Sequence, residues 1–167
     1  MINAMLIISI LLVVLNVGIT IWRKRELPQS ISAMVYNLPE GRSRWLWTIW
    51  LWAVSLLMAP SLIEALPTTW QFVGFLTIAC LVFCAAVPIF EKENTTIHNI
   101  LGAAACVLSQ ICVGLICPWW LLLWLLMVAV CVHALIAKEY PRWLQGKGIF
   151  IAEAVCWLST MAAIIFH

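Results

Sequence analysis

One acidic residue, Glu153, lies inside a long apolar run near the C-terminus of the chain. An ionisable group in hydrocarbon is costly, so a carboxylate there is a functional candidate by default. Its neighbours Ala152, Ala154 and Cys156 are small, which allows the carboxylate to face other helices rather than lipid. Two interpretations stay open: a catalytic or ion-binding group, or a carboxyl that bonds to a hydroxyl or to Trp157 and joins helices.

Two histidines and two serines are predicted at the same membrane depth as Glu153. His98 opens one apolar run, His133 lies near the end of another, and Ser30 and Ser32 lie in the connection before the second run. Two histidines and a carboxylate could bind a divalent metal and activate water, or relay protons. In the alternative interpretation, His98 caps its helix and His133 makes one interhelical hydrogen bond.

Cofactor and redox chemistry have little support in the sequence. Haem would need two axial ligands at matching depth on facing helices. His98 and His133 belong to consecutive helices and no other feature supports haem, so the sequence identifies no cofactor. The seven cysteines form no CxxC pair and lie inside apolar runs, where they indicate small buried side chains.

The composition of the chain is that of a membrane protein rather than of a soluble domain. Of the 167 residues, 65% are hydrophobic and 10% are charged, whereas globular domains are about 45–50% apolar and about 25% charged. A soluble fold is excluded, because no core of this size could absorb so much apolar surface. The net charge of +2 gives no indication of nucleic-acid binding.

The apolar runs predict membrane-spanning helices. Each crossing needs about 20 apolar residues for about 30 Å of hydrocarbon, and six segments meet that length. The sequence therefore predicts an all-α, integral membrane six-helix bundle in a single domain. Prolines in the connections at 66–68 and 117–118 predict short antiparallel hairpins. The predicted helices cover residues 3–22, 45–66, 69–90, 97–117, 119–137 and 148–166.

The distribution of charge predicts the orientation. All nine basic residues lie in the first, third and fifth connections. Lysine and arginine favour the cytoplasmic side, so these connections are predicted to be cytoplasmic and both termini non-cytoplasmic. Residues 27–36 are too apolar for a free loop and too short to span, which predicts an interfacial segment, either amphipathic or re-entrant.

Short motifs add a family resemblance over about residues 28–110. The segment 30–33, Ser-Ile-Ser-Ala, followed by an arginine just before a helix, resembles small bacterial multi-helix membrane proteins. Val-Pro at 87–88 and Ile-His at 97–98 add to the resemblance. In outline, such proteins are similar to the alkaline-ceramidase and adiponectin-receptor-like hydrolases. The resemblance implies a membrane-embedded hydrolase in a bacterial inner membrane.

Only part of that family's metal site has a counterpart in this chain. The resemblance carries over His98, Ser30 and Ser32 as site positions. The family's HxxxH pair late in the chain and its serine four residues before a histidine have no match: Asn94 stands four residues before His98, and His133 stands alone.

Three classes of function remain open. The favoured one is a structural or accessory membrane protein, or one that binds lipid or a protein partner. A lipid hydrolase would place a polar or metal site, built from His98, His133, Glu153 and the two serines, in the inner leaflet. A proton- or cation-coupled transporter would use Glu153, although no internal repeat is evident. The expected partners are the lipid bilayer and either another membrane protein or a second copy.

Overall fold

The structure, a computed structural model, describes residues 4–39, 41–90, 95–137 and 146–167, and it confirms an all-α bundle over those residues. Within these ranges, three 3₁₀ helices lie between the α-helices, at Ser32–Asn37, Thr68–Trp70 and Pro118–Leu123. The α-helices are α1 (Ala4–Lys24), α2 (Arg42–Ala65), α3 (Gln71–Phe90), α4 (Thr96–Ile116), α5 (Trp124–Ala137) and α6 (Gly148–Ile165).

The helix ends follow the predicted breaks. Leu66 is extended at the end of α2, directly before Pro67, because the residue before a proline disfavours helical geometry. The fifth helix differs most from its predicted range. The first five residues of that range, 119–123, belong to the 3₁₀ helix Pro118–Leu123, which precedes the 14 residues of α5. With a rise of about 2.0 Å and 1.5 Å per residue, the two pieces together supply about 33 Å of helix.

The helices have the length and surface of membrane-spanning segments. Five of them, all except α5, are long and apolar enough to cross a membrane. Their outward faces carry large apolar side chains, among them Leu15, Phe83 and Leu158, which are more than half exposed. Such a surface suits contact with lipid rather than water.

Two apolar clusters organise the interior. Consecutive helices from α1 to α4 pack against each other, and α4 also packs against α6. Helix α5 packs against α6 and against the 3₁₀ helix that precedes it. One cluster, near the α2–α3 turn, contains Met58 and Leu62 of α2. The other, at the opposite end of α2, contains Val35, Trp47 and Leu51. The middle of the bundle therefore lies between two separate cores.

The segment predicted at the interface is folded into the end of the bundle. Pro28, Ser30 and Val35 are buried, and Val35 has no exposed surface. The backbone N–H of Phe150, in the first turn of α6, donates to the carbonyl of Gln29 at 3.1 Å. These contacts place the segment between helices of the bundle.

Candidate functional site

The Glu153 carboxylate on α6 is bound by the segment Ser30–Ser32. The Ser30 hydroxyl donates to both carboxylate oxygens at 3.0 and 3.1 Å, and the Ser32 hydroxyl donates to Oε1 at 2.5 Å. The Ile31 N–H donates to Oε2 at 2.5 Å, and the Ser32 N–H lies 3.4 Å from each oxygen. Each of these groups can donate, which is the pattern an acceptor-only carboxylate requires.

Local backbone geometry explains why this segment binds an anion. A helix start leaves its first N–H groups without intrahelical partners, and the 3₁₀ helix begins at Ser32. Ile31, the residue before it, is already helical, with φ −73° and ψ −46°. The N–H groups of Ile31 and Ser32 therefore point away from the helix, and Glu153 accepts them. The two serines add hydroxyl donors on either side.

A cavity of about 130 Å³ adjoins this carboxylate in the middle of the bundle. Its size is comparable with an apolar cavity of about 150 Å³ that is large enough to bind benzene. Helices α1, α2, α3, α4 and α6 and the segment containing Ser32 all contribute to its wall. Most lining residues are apolar, and Glu153 is the charged one among the described residues that line it. The lining includes Val13, Trp47, Trp50, Val54, Met58 and Trp157.

Three tryptophans form part of the cavity wall, and they differ in hydrogen bonding. The Trp50 indole N–H donates to the Leu12 carbonyl of α1 at 3.1 Å. Over the residues that the structure describes, the buried indole N–H groups of Trp47 and Trp157 have no partner. The rings of Trp47 and Trp50 lie 6.1 Å apart. The predicted alternative of a Glu153–Trp157 bond is therefore not what the structure contains.

His98 has a packing role in this structure. It is 1% exposed, and its Nδ1 lies 2.9 Å from the carbonyl oxygen of Cys84 on α3. The Tyr36 ring meets it edge-on at 5.2 Å. His98 does not line the cavity. The predicted capping role is replaced by a link between α4, α3 and the segment.

The predicted metal trio is not assembled. His133 is exposed on α5 and does not line the cavity. Within the described ranges, no group of three His, Cys, Asp or Glu side chains could hold a metal ion. The structure therefore brings together Glu153, Ser30 and Ser32, places His98 beside them, and leaves His133 apart.

A second polar group lies beside the cavity. Gln110 of α4 accepts the Trp124 indole N–H at 2.8 Å and the Ser159 hydroxyl at 3.0 Å through Oε1. Its Nε2 donates to the Cys156 carbonyl at 3.3 Å. Gln110 therefore joins α4, α5 and α6.

The aromatic wall of the cavity is the feature that the sequence prediction missed. Two signals could have found it. Trp47, Trp50, Val54 and Met58 recur at three- and four-residue spacing on α2, which places them along one helix face. Trp157 follows Glu153 by four residues, so both lie on one face of α6.

The chain was compared with protein-family models, curated proteins and solved structures, and none of them matches it.

Proposed function

We propose that this chain is a membrane-embedded binding protein for a lipid-like molecule. The observation that supports the proposal is the cavity between five helices, whose described lining is mostly apolar and includes one carboxylate, Glu153. A binding pocket is typically concave and mostly apolar, with a few polar groups that orient the ligand. This arrangement matches that description, and it lies within helices long enough to span a bilayer.

The proposal includes an orientation. Ser30 and Ser32 lie in the connection between α1 and α2, and the helix ends on either side of it carry the exposed Arg23, Lys24 and Arg42. Under the positive-inside rule, this connection faces the cytoplasm. The Glu153 end of the cavity then lies in the cytoplasmic leaflet of an inner membrane, and both termini lie on the opposite side.

A pair of matched substitutions on α4 tests the binding function. Ala105 is 3% exposed and lines the cavity, whereas Ala103 is exposed on the outer face of the same helix. Ala105→Phe should fill the cavity, and Ala103→Phe should only add lipid-facing surface. Native mass spectrometry of protein extracted in mild detergent measures retained lipid-like molecules. We expect wild type and Ala103→Phe to retain one, and Ala105→Phe, checked for folding by thermal unfolding, to lose it. Equal retention by folded Ala105→Phe, or no retained molecule in wild type, would overturn the proposal.

A membrane-embedded hydrolase is a second candidate, on one specific observation. The Ser32 hydroxyl donates to Glu153 at 2.5 Å, and a hydroxyl bonded to a base is the usual arrangement of a hydrolytic nucleophile. Release of fatty acid from acyl-ester lipids by the purified chain tests this candidate. Activity that disappears in Ser32→Ala and persists in Ser61→Ala would support it; a wild-type chain without turnover would reject it.

A further inference from the structure

The charge and the aromatic content of the cavity wall together define a ligand class, and the inference rests on the binding function proposed above. Glu153 is the one charged side chain among the described lining residues. Its described partners are hydroxyl and backbone N–H groups, none of which is a cation. Glu153 is half-buried, and a charge withdrawn from water is costly unless it is paired. A positively charged ligand would supply the missing charge.

The hydrogen bonds of the carboxylate narrow the choice of cation. A carboxylate offers about four acceptor positions, and Ser30, Ile31 and Ser32 already occupy positions on both oxygens. A primary ammonium would need some of these acceptors for its own N–H donors. A tetraalkylammonium has no N–H group, so it gains the charge attraction without displacing the segment.

Three indoles are suited to the same head group. Cations are attracted to aromatic faces, tryptophan most strongly, and aromatic cages recognise quaternary ammonium groups in this way. Trp47 and Trp50 of α2 and Trp157 of α6 line the cavity from two sides. Val13, Val54 and Met58 supply the apolar wall that an alkyl chain needs.

We propose that the cavity binds an amphiphilic quaternary ammonium compound, with its head between Glu153 and the three indoles and only the adjoining part of its alkyl chain beside Val13, Val54 and Met58. The ligand can be a free amphiphile or a choline-type lipid, since both carry a trimethylammonium head. The surrounding wall then acts as a charge-selective site rather than a general site for acyl chains.

Calorimetric titration of the chain in nanodiscs tests the proposal, with the signal of empty nanodiscs subtracted. The probes are decyltrimethylammonium, decylammonium, decanol, decyl sulfate and a short-chain phosphatidylcholine. We expect decyltrimethylammonium to bind saturably and decanol and decyl sulfate to bind roughly tenfold more weakly or worse. Decylammonium should bind more weakly than decyltrimethylammonium. Phosphatidylcholine binding in addition would identify a lipid source, and its absence would identify a free amphiphile.

Two variants with matched controls locate the effect. Glu153→Gln should remove the preference for the cation, whereas Glu64→Gln, at an exposed position of α2, should keep it. Trp157→Leu should weaken decyltrimethylammonium binding about fivefold, whereas Trp119→Leu, 75% exposed at the far end, should not change it. Trp157→Leu decides the result if Glu153→Gln does not fold.

The outcomes separate failure of this inference from failure of the binding function. Equal affinity for decyltrimethylammonium and decanol, tighter binding of decylammonium, or unchanged selectivity in Glu153→Gln would overturn the ligand class. If the probes still bind to the wild-type chain and Ala105→Phe abolishes their binding, the binding function stands. If no probe binds saturably, or if Ala105→Phe abolishes none of the binding, both the ligand class and the binding function are overturned.

Discussion

The Ser32 hydroxyl donates to Glu153 at 2.5 Å across 121 positions of sequence. This contact joins the connection between α1 and α2 to the last helix of the bundle. Ser32 and Glu153 also line the same cavity. The bond therefore fixes one wall of the candidate binding site, and loss of the bond should affect both stability and binding.

Removal of the Ser32 hydroxyl should destabilise the bundle. Hydrogen bonds to charged groups contribute about 1.5–3 kcal/mol in water-soluble proteins, whereas interhelical bonds in membranes average about 0.6 kcal/mol. We expect Ser32→Ala to lower the free energy of unfolding by about 1 kcal/mol. Ser61→Ala is the matched control, because the buried Ser61 hydroxyl has no partner among the described residues. Unfolding in mixed micelles measures both, and equal effects would contradict the account.

Replacement of tryptophan by phenylalanine should distinguish bonded from unbonded indoles. Trp50→Phe removes a bond to the Leu12 carbonyl, and it should cost about 1 kcal/mol. Trp157→Phe removes a buried N–H without a partner in the described part of the chain. Relief from that unpaired N–H should offset the loss of buried apolar area, so the free energy of unfolding should fall by less than in Trp50→Phe. Thermal unfolding of the two variants side by side checks the order. A larger loss in Trp157→Phe would show that its indole N–H has a partner after all.

Two glycines should respond differently to alanine. At Gly74, an added Cβ would lie 2.9 Å from Leu66 Cδ1 and 3.4 Å from Ile63 Cγ1, so α2 and α3 must shift or the leucine must rotate. At Gly102, the closest atom would be Cys84 Sγ at 3.7 Å, an ordinary contact. We expect Gly74→Ala to cost about 1–3 kcal/mol, as overpacked cores do, and Gly102→Ala to be near neutral. Equal melting temperatures would show that the α2–α3 contact is looser than described.

Labelling with a membrane-impermeant maleimide should report the proposed orientation. Thr68 lies in the turn between α2 and α3, and Gly146 lies just before α6. Thr68→Cys should label from the non-cytoplasmic side, and Gly146→Cys only after the membrane is opened. The unmodified chain, which contains seven native cysteines, gives the background. Labelling of Thr68→Cys from the cytoplasmic side would reverse the orientation.

The sequence predicts the helices better than it predicts the site. The long apolar runs are a strong signal, so the six helices are recovered, and α5 differs mainly because Pro118 starts a 3₁₀ helix. Glu153 stands out as a carboxylate within apolar surroundings. Membrane depth also places Ser30 and Ser32 near it.

The predicted membrane depth of a residue does not determine the rotation of its helix about the helix axis. The sequence therefore does not predict the direction in which the side chain points. His98 and His133 share a predicted depth with Glu153, yet His98 turns towards the Cys84 carbonyl and His133 is exposed on α5. Trp157 shares a face with Glu153 but does not bond to it. Those directions depend on how neighbouring helices pack, and packing depends on contacts between residues far apart in sequence.

Photo-crosslinking tests the central claim, that the cavity binds a lipid-like molecule with a quaternary ammonium head, most directly. A decyltrimethylammonium probe with a diazirine in its alkyl chain would be irradiated with the chain in nanodiscs, and adducts would be mapped by mass spectrometry. We predict adducts on the cavity-lining Val54 and Met58 that decrease when unlabelled decyltrimethylammonium is added. Adducts confined to lipid-facing residues such as Leu56 and Phe83, or cavity adducts insensitive to competitor, would contradict the claim.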